Sequence, residues 1–104
     1  MTVIGFLSVA PVIEESMAAD VADAVDALEA FDVEYETGPM GTTIEAETIG
    51  ELLAAVEAAH TAVEADRVST VLKIDDKRTS DHRAQGKVAG VEAELGRPAR
   101  SDRS

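Results

Sequence analysis

Apolar residues follow two rhythms along this chain, and the switches between them predict its elements. Residues 2–10, "TVIGFLSVA", are apolar on both parities and stop at Pro11. A short run of this kind, bounded by proline, reads as a strand. Apolar character on both faces marks a central strand covered on two sides. Ser8 is the one polar side chain between Phe6 and Ala10. The period then lengthens. Met17, Val21, Ala24, Val25, Leu28 and Phe31 recur at helical spacing, while Asp20, Asp23, Asp26 and, beside them, Glu29 take the other face. Ser16 is placed to cap this helix, and acids in its early turns suit the helix dipole.

"VEYET" (33–37) and "TTIEAE" (42–47) return to alternation, each a strand with one wetter face. Gly38-Pro39-Met40-Gly41 lies between them. Proline second and glycine fourth favour a type I turn, so the two strands form a hairpin. Thr48 and Glu51 make a capping box for a second helix that runs to about Ala65. Its predicted buried stripe is Leu52, Leu53, Val56, Ala59 and Val63. "RVSTVLKID" (67–75) is rich in β-branched residues and reads as a fourth strand, broken by "DDKRTSD". A third helix is expected from near Ser80, packing through Ala84, Val88, Val91 and Leu95. It stops at Gly96, with Pro98 beyond. The domain is expected to span residues 1–96, with 97–104 a polar, disordered tail.

The order β-α-β-β-α-β plus a C-terminal helix is the split βαβ, ferredoxin-like pattern of the α+β class. It implies a four-stranded antiparallel sheet with helices on one face. The strands carry too many apolar groups for the other face to stand open to water. Either two sheets pack face to face, or the third helix covers part of that face in trans. Both predict a homo-oligomer, a dimer or tetramer.

Charge sharpens the picture. Residues 1–66 hold 15 acids and no Lys or Arg; residues 67–104 hold 9 bases and 6 acids. An acidic, lysine-poor surface suits a cytoplasm of very high salt, where repulsion is screened. The alternative is an acidic surface for a cationic partner. The net charge of −12 opposes phosphate binding, and three aromatics (Phe6, Phe31, Tyr35) are too few for a stacking platform, so nucleic acid is disfavoured and not expected as a partner. No cysteine is present, hence no disulfide framework or thiolate metal site. No basic leader or membrane-length apolar run is found, and a cytoplasmic protein is expected.

Catalytic chemistry is hard to assemble. His60 and His82 lack metal-ligand spacing, and no nucleophile or phosphate-loop motif occurs. No metal or cofactor is therefore expected. "KIDDKR" (73–78) could hold a cation, but adjacent aspartates point to opposite sides of an extended chain. A mutually neutralising loop is the simpler reading. This basic segment could also dock against the acidic remainder, within or between subunits. Two residues of the hairpin ask for more. Met40 sits at its tip as a soft, adaptable contact or an exposed oddity. Glu45 shares a face with Thr43 and Glu47, and if that face is covered its carboxylate needs a partner.

"GFLSVAPVIEES", "YETGPMGTTIEAE" and "RVSTVLKIDDKR", followed by Lys87-Val88 and Val91, are similar to a small thiamine-binding family of ferredoxin-like proteins, long catalogued as a conserved domain of unknown function. The similarity spans residues 2 to about 95, and "GPMGT" with Glu45 is its most specific part. One departure is Ala46, where the family usually has glycine, which adds a methyl group next to the motif glutamate. The resemblance implies subunits that assemble through their sheets and bind thiamine or its hydroxymethylpyrimidine portion without turnover. On that basis Ser8, Tyr35, Met40, Gly41, Thr42 and Glu45 are the expected ligand-binding residues. Glu45 would accept from the amino group, Ser8 and Thr42 would supply hydroxyl bonds, and Phe6, Tyr35 or Met40 would cover a flat ring. Three functions stay open: a non-enzymatic thiamine or pyrimidine binder in transport, storage or sensing; a structural or regulatory oligomer for another metabolite; and, least supported, an enzyme acting on thiamine fragments.

Overall fold

A computed structural model describes residues 2–79 and 82–99. The elements follow the predicted order: β1 (Val3–Pro11), α1 (Ala18–Ala27), a single 3₁₀ turn (Leu28–Ala30), β2 (Glu34–Thr37), β3 (Thr42–Ala46), α2 (Ile49–Ala62), β4 (Val68–Asp75) and α3 (Ala84–Leu95). All strand pairs are antiparallel, in the order β2-β3-β1-β4. This is the ferredoxin-like α+β fold. β1 is central, as its two-sided apolar run implies, and β2 and β4 are the edges.

Strand register sorts the side chains onto two faces, because directly paired residues point the same way. Val3, Leu7 and Val9 of β1 share the inner face with Thr42, Ile44 and Ala46 of β3. Ala24 and Leu28 from the first helical segment and Leu52, Ala55 and Ala59 from α2 close this core. Leu28, Ile44 and Leu52 are its largest fully buried side chains. Emptying one of these positions costs about 2–5 kcal/mol in typical cores.

Several local expectations change. α1 starts at Ala18, so Met17 rather than Ser16 is its N-cap residue. Ser16 still reaches back, its Oγ accepting from the Ala18 N–H at 3.4 Å. Thr48 caps α2 as expected, accepting from the Glu51 N–H at 3.1 Å. Leu53 is exposed and Ala55 takes its place in the buried stripe, because Leu52, Ala55 and Ala59 follow the i, i+3, i+7 spacing of one helix face and Leu53 falls beside it. α2 ends at Ala62, three residues early, since Val63 turns extended to tuck under the core.

The hairpin forms with Thr37 paired to Thr42. Its loop is closed by the Gly38 N–H donating to the Gly41 carbonyl at 2.8 Å, the reverse of the bond that defines a type I turn. α3 ends on Gly96, whose φ of 70° needs no β-carbon penalty there. Ser80, the expected start of α3, and residues 100–104 of the expected tail lie outside the described residues. α3 is found on the outer face of its own subunit's sheet, where it bonds to Glu45, so part of that face is covered in cis. Among the described residues no helix is long and apolar enough to cross a membrane.

Candidate functional site

The hairpin loop Gly38–Gly41 is a wall between two hollows, one on each side of the sheet. The inner hollow, of about 130 Å³, lies between the loop, β1 and the start of α1. Leu7, Val21 and Leu28 give it an apolar lining, and Ser8, Thr37 and Thr42 also border it. Thr42 is buried, and its hydroxyl pairs with that of Thr37 at 3.2 Å. Met17 closes the mouth from the helix side, and Met40, 79% exposed, stands at the loop tip. The alternation of β3 explains the geometry: Thr42 faces inward in the rung of Leu7, at the point where the sheet hands over to the loop.

Glu45 belongs to the other face. Register puts Glu34, Glu45, Ile4 and Asp75 in one rung across the outer surface, and Glu36, Thr43, Phe6 and Lys73 in the next. The Glu45 side chain is only 14% exposed. One oxygen accepts from the Arg83 guanidinium and the other from the Ala84 N–H at 2.8 Å. Arg83 also bonds Glu34, and Lys87 reaches Asp75 at 2.6 Å. The covered carboxylate thus finds its partner in the chain's own third helix. Two acids beside the guanidinium raise the Arg83 pKa, the Glu45 hydrogen bond first among the causes. The Lys87 hydrogen bond holds Asp75 below the ordinary carboxyl range. These acids are met from the start of α3 in the same subunit, by Arg83 and Lys87, and not from 73–78, the segment expected to dock. Asp76 is answered by Arg78 within its own loop at 3.3 Å.

Six residues were expected to share one ligand site, and the fold divides them. Met40, Gly41 and Thr42 meet at the inner hollow; Ser8 borders it through its backbone, while its side chain points to the outer face with Phe6 and Val71. Glu45 is separated from Thr42 by the thickness of the sheet. Tyr35 faces inward, paired with Ile44, and its hydroxyl donates to Glu29 beyond the end of α1. That bond, followed by burial, raises the Tyr35 pKa, and it turns the phenol away from both hollows' shared loop. Ala46 is buried on the inner face beside Val3, so its methyl fills core and does not adjoin the Glu45 carboxylate.

Sequence reasoning overlooked Met17, Thr37 and Glu36. Met17 and Thr37 border the inner hollow. Their signal was available: Thr37 and Thr42 flank a four-residue loop and therefore pair. Glu36, on the outer face, borders a groove of about 280 Å³ with Phe6, Met40, Thr43 and Val88. Among the described residues no group of three His, Asp or Glu is placed to hold a metal.

Fold and hollow together define a ferredoxin-like domain with a small, largely apolar recess beside its hairpin. Residues 6–92 match the family profile described as thiamine-binding protein, and the chain belongs to that family. It is 47% identical over 83 residues to a UPF0045 protein of Methanothermobacter thermautotrophicus, covering 77% of this chain and 84% of the other. Its fold matches the crystal structure of a hypothetical protein from Methanocaldococcus jannaschii with a TM-score of 0.80 and 29% identity, over 86% of this chain and 95% of that one. A Thermotoga maritima protein assigned provisionally to thiamine biosynthesis or salvage matches with a TM-score of 0.76 and 26% identity, over 88% and 99% of the two chains.

Proposed function

We propose that this protein is a non-enzymatic receptor for thiamine or its hydroxymethylpyrimidine portion, serving vitamin transport, storage or sensing. The observation that carries the reading is the inner hollow, which combines family membership with a recess of suitable size and chemistry. An apolar cavity of about 150 Å³ takes up benzene, so about 130 Å³ suits one six-membered ring. The pyrimidine enters, with Met17, Val21 and Leu28 against its faces. The paired Thr37 and Thr42 hydroxyls, each donor and acceptor, meet its ring nitrogens and amino group. The cationic thiazolium is too large to follow and stays at the mouth, where the acidic surface favours it. Glu45 is left out of these contacts, because both its oxygens serve α3.

Calorimetry with thiamine and with hydroxymethylpyrimidine, in molar KCl, tests the reading. The expected result is saturable heat for both. No heat from either at millimolar concentration would overturn it.

A second reading, self-association to a dimer or tetramer, has its own support. Phe6 and Val71 on the outer face and Val88, Val91 and Leu95 on α3 are exposed apolar residues on adjoining surfaces. Covering them by a second copy would remove them from water. Light scattering reads the mass directly, and a monomer at every concentration would end this reading.

A further inference from the structure

The acidic rung on the outer face sets Glu34, Glu45 and Asp75 in one row, interrupted by Ile4. Like charges along a rung repel. All three are answered from one stretch of chain: Arg83 takes Glu34 and Glu45, the Ala84 N–H takes Glu45, and Lys87 takes Asp75. Past this first turn, the hold of α3 on the domain is slight. No residue of α3 is buried, and Val88, Val91 and Leu95 remain exposed. The helix also carries Gly86 and Gly90 in its interior, each less favourable than alanine by about 1 kcal/mol. Twelve residues of this composition do not persist as a helix without tertiary support. The buried core, by contrast, is made entirely by β1, α1 and its 3₁₀ turn, β3, α2 and Val63.

We propose that α3 is a releasable strap across the outer face, fastened by the Glu34–Glu45–Asp75 rung. Unfastening frees α3 while the sheet, α1 and α2 stay folded. Local opening of this kind is expected where an element has few buried contacts. Release has a defined consequence. Gln85 and Val88 form one side of the outer groove, opposite Phe6, Met40 and Thr43. When they leave, the groove becomes an open apolar surface, and the hairpin loop loses the support on its outer side. Glu45 therefore acts as a positioning residue for α3. The inference stands apart from the identity of any ligand.

Hydrogen exchange on the full chain tests it, with Glu45→Gln and Arg83→Met as variants and Glu36→Gln as a control outside the rung. Glu45→Gln keeps an acceptor for Ala84 but removes the charge that holds Arg83. The expected result is exchange at least tenfold faster in α3 amides in both variants, with β1, β3 and α2 amides unchanged and the control like the unmodified protein. The proposal is overturned if α3 exchanges at the unmodified rate in both variants, or if α3 and the sheet open together. It is equally overturned if Glu36→Gln accelerates α3 as much, or if α3 is already unprotected in the unmodified protein.

Discussion

Phe6 and Gly41 meet so closely that only a missing side chain allows it: a β-carbon on Gly41 would lie 2.6 Å from the Phe6 ring and 2.7 Å from the Leu7 carbonyl oxygen. The ring tip could swing aside, but the backbone oxygen of β1 has no such freedom. Gly41 is thus fixed by contact with β1, beyond its fitness for a turn. Gly41→Ala should push the loop off β1 and destabilise the domain by about 1–3 kcal/mol, the usual cost of overpacking. Denaturant unfolding measures it, and an unchanged midpoint would show that the loop floats free of β1.

Thr42 offers a cleaner probe of the inner hollow. Thr42→Val preserves shape and removes the hydroxyl shared with Thr37, which is exposed enough to turn to water. Thiamine affinity should fall roughly two- to tenfold, the worth of one neutral hydrogen bond, with little change in stability. Titration calorimetry on the variant decides it; full affinity would place the ligand elsewhere.

The pH dependence follows from Asp75. Its pKa is lowered from the ordinary 3.8, first by the hydrogen bond from Lys87 and then by the charges of Lys87, His82 and Lys73. A depressed carboxyl pKa means that the unfolded chain binds the proton more readily. The contribution is therefore complete above 3.8 and is lost as pH falls through the lowered folded value. Both groups are solvent-exposed, so the effect is modest. Stability curves of the unmodified protein and Asp75→Asn should run parallel near neutrality and converge in acid. A gap that widens in acid would contradict this assignment.

Salt acts in two directions here. It weakens the exposed pairs made by Arg78, Arg83 and Lys87, and it screens the self-repulsion of a chain with net charge −12. The second effect involves the 15 acids of residues 1–66, a stretch that holds no Lys or Arg, and should dominate even though Arg83 answers Glu34 and Glu45. Raising KCl from about 0.1 M to about 1 M shortens the screening length from ~10 Å to ~3 Å. The melting temperature should rise accordingly in a thermal scan, and a fall would remove the case for a high-salt adaptation.

Local rules carried the fold a long way. The two-sided apolar run of β1, the Thr48 cap and the alternation in β3 each depend on neighbours in sequence, and each was legible. The candidate site was legible only by halves. Alternation placed Thr42 and Glu45 on opposite faces, but the family motif grouped them as one set of residues. What separates their roles is α3, whose docking depends on charges 38 residues away from Glu45. No periodicity encodes such a long-range pairing. Leu53 against Ala55 failed for a different reason. Hydrophobicity favoured leucine, but Leu53 lies one residue, about 100° around the helix, from the fully buried Leu52, while Ala55 is one turn on and shares its face.

The sheet order has a consequence of its own. β2 forms one margin of the sheet, and its residues include Glu34 and Glu36. A strand from another molecule aligning there would meet carboxylates at alternate positions, with one guanidinium, that of Arg83, already engaged. Margins of this kind resist lateral growth into longer sheets. The acids of β2 thereby keep the hydrogen-bonding rim of the sheet from serving as a template for aggregation.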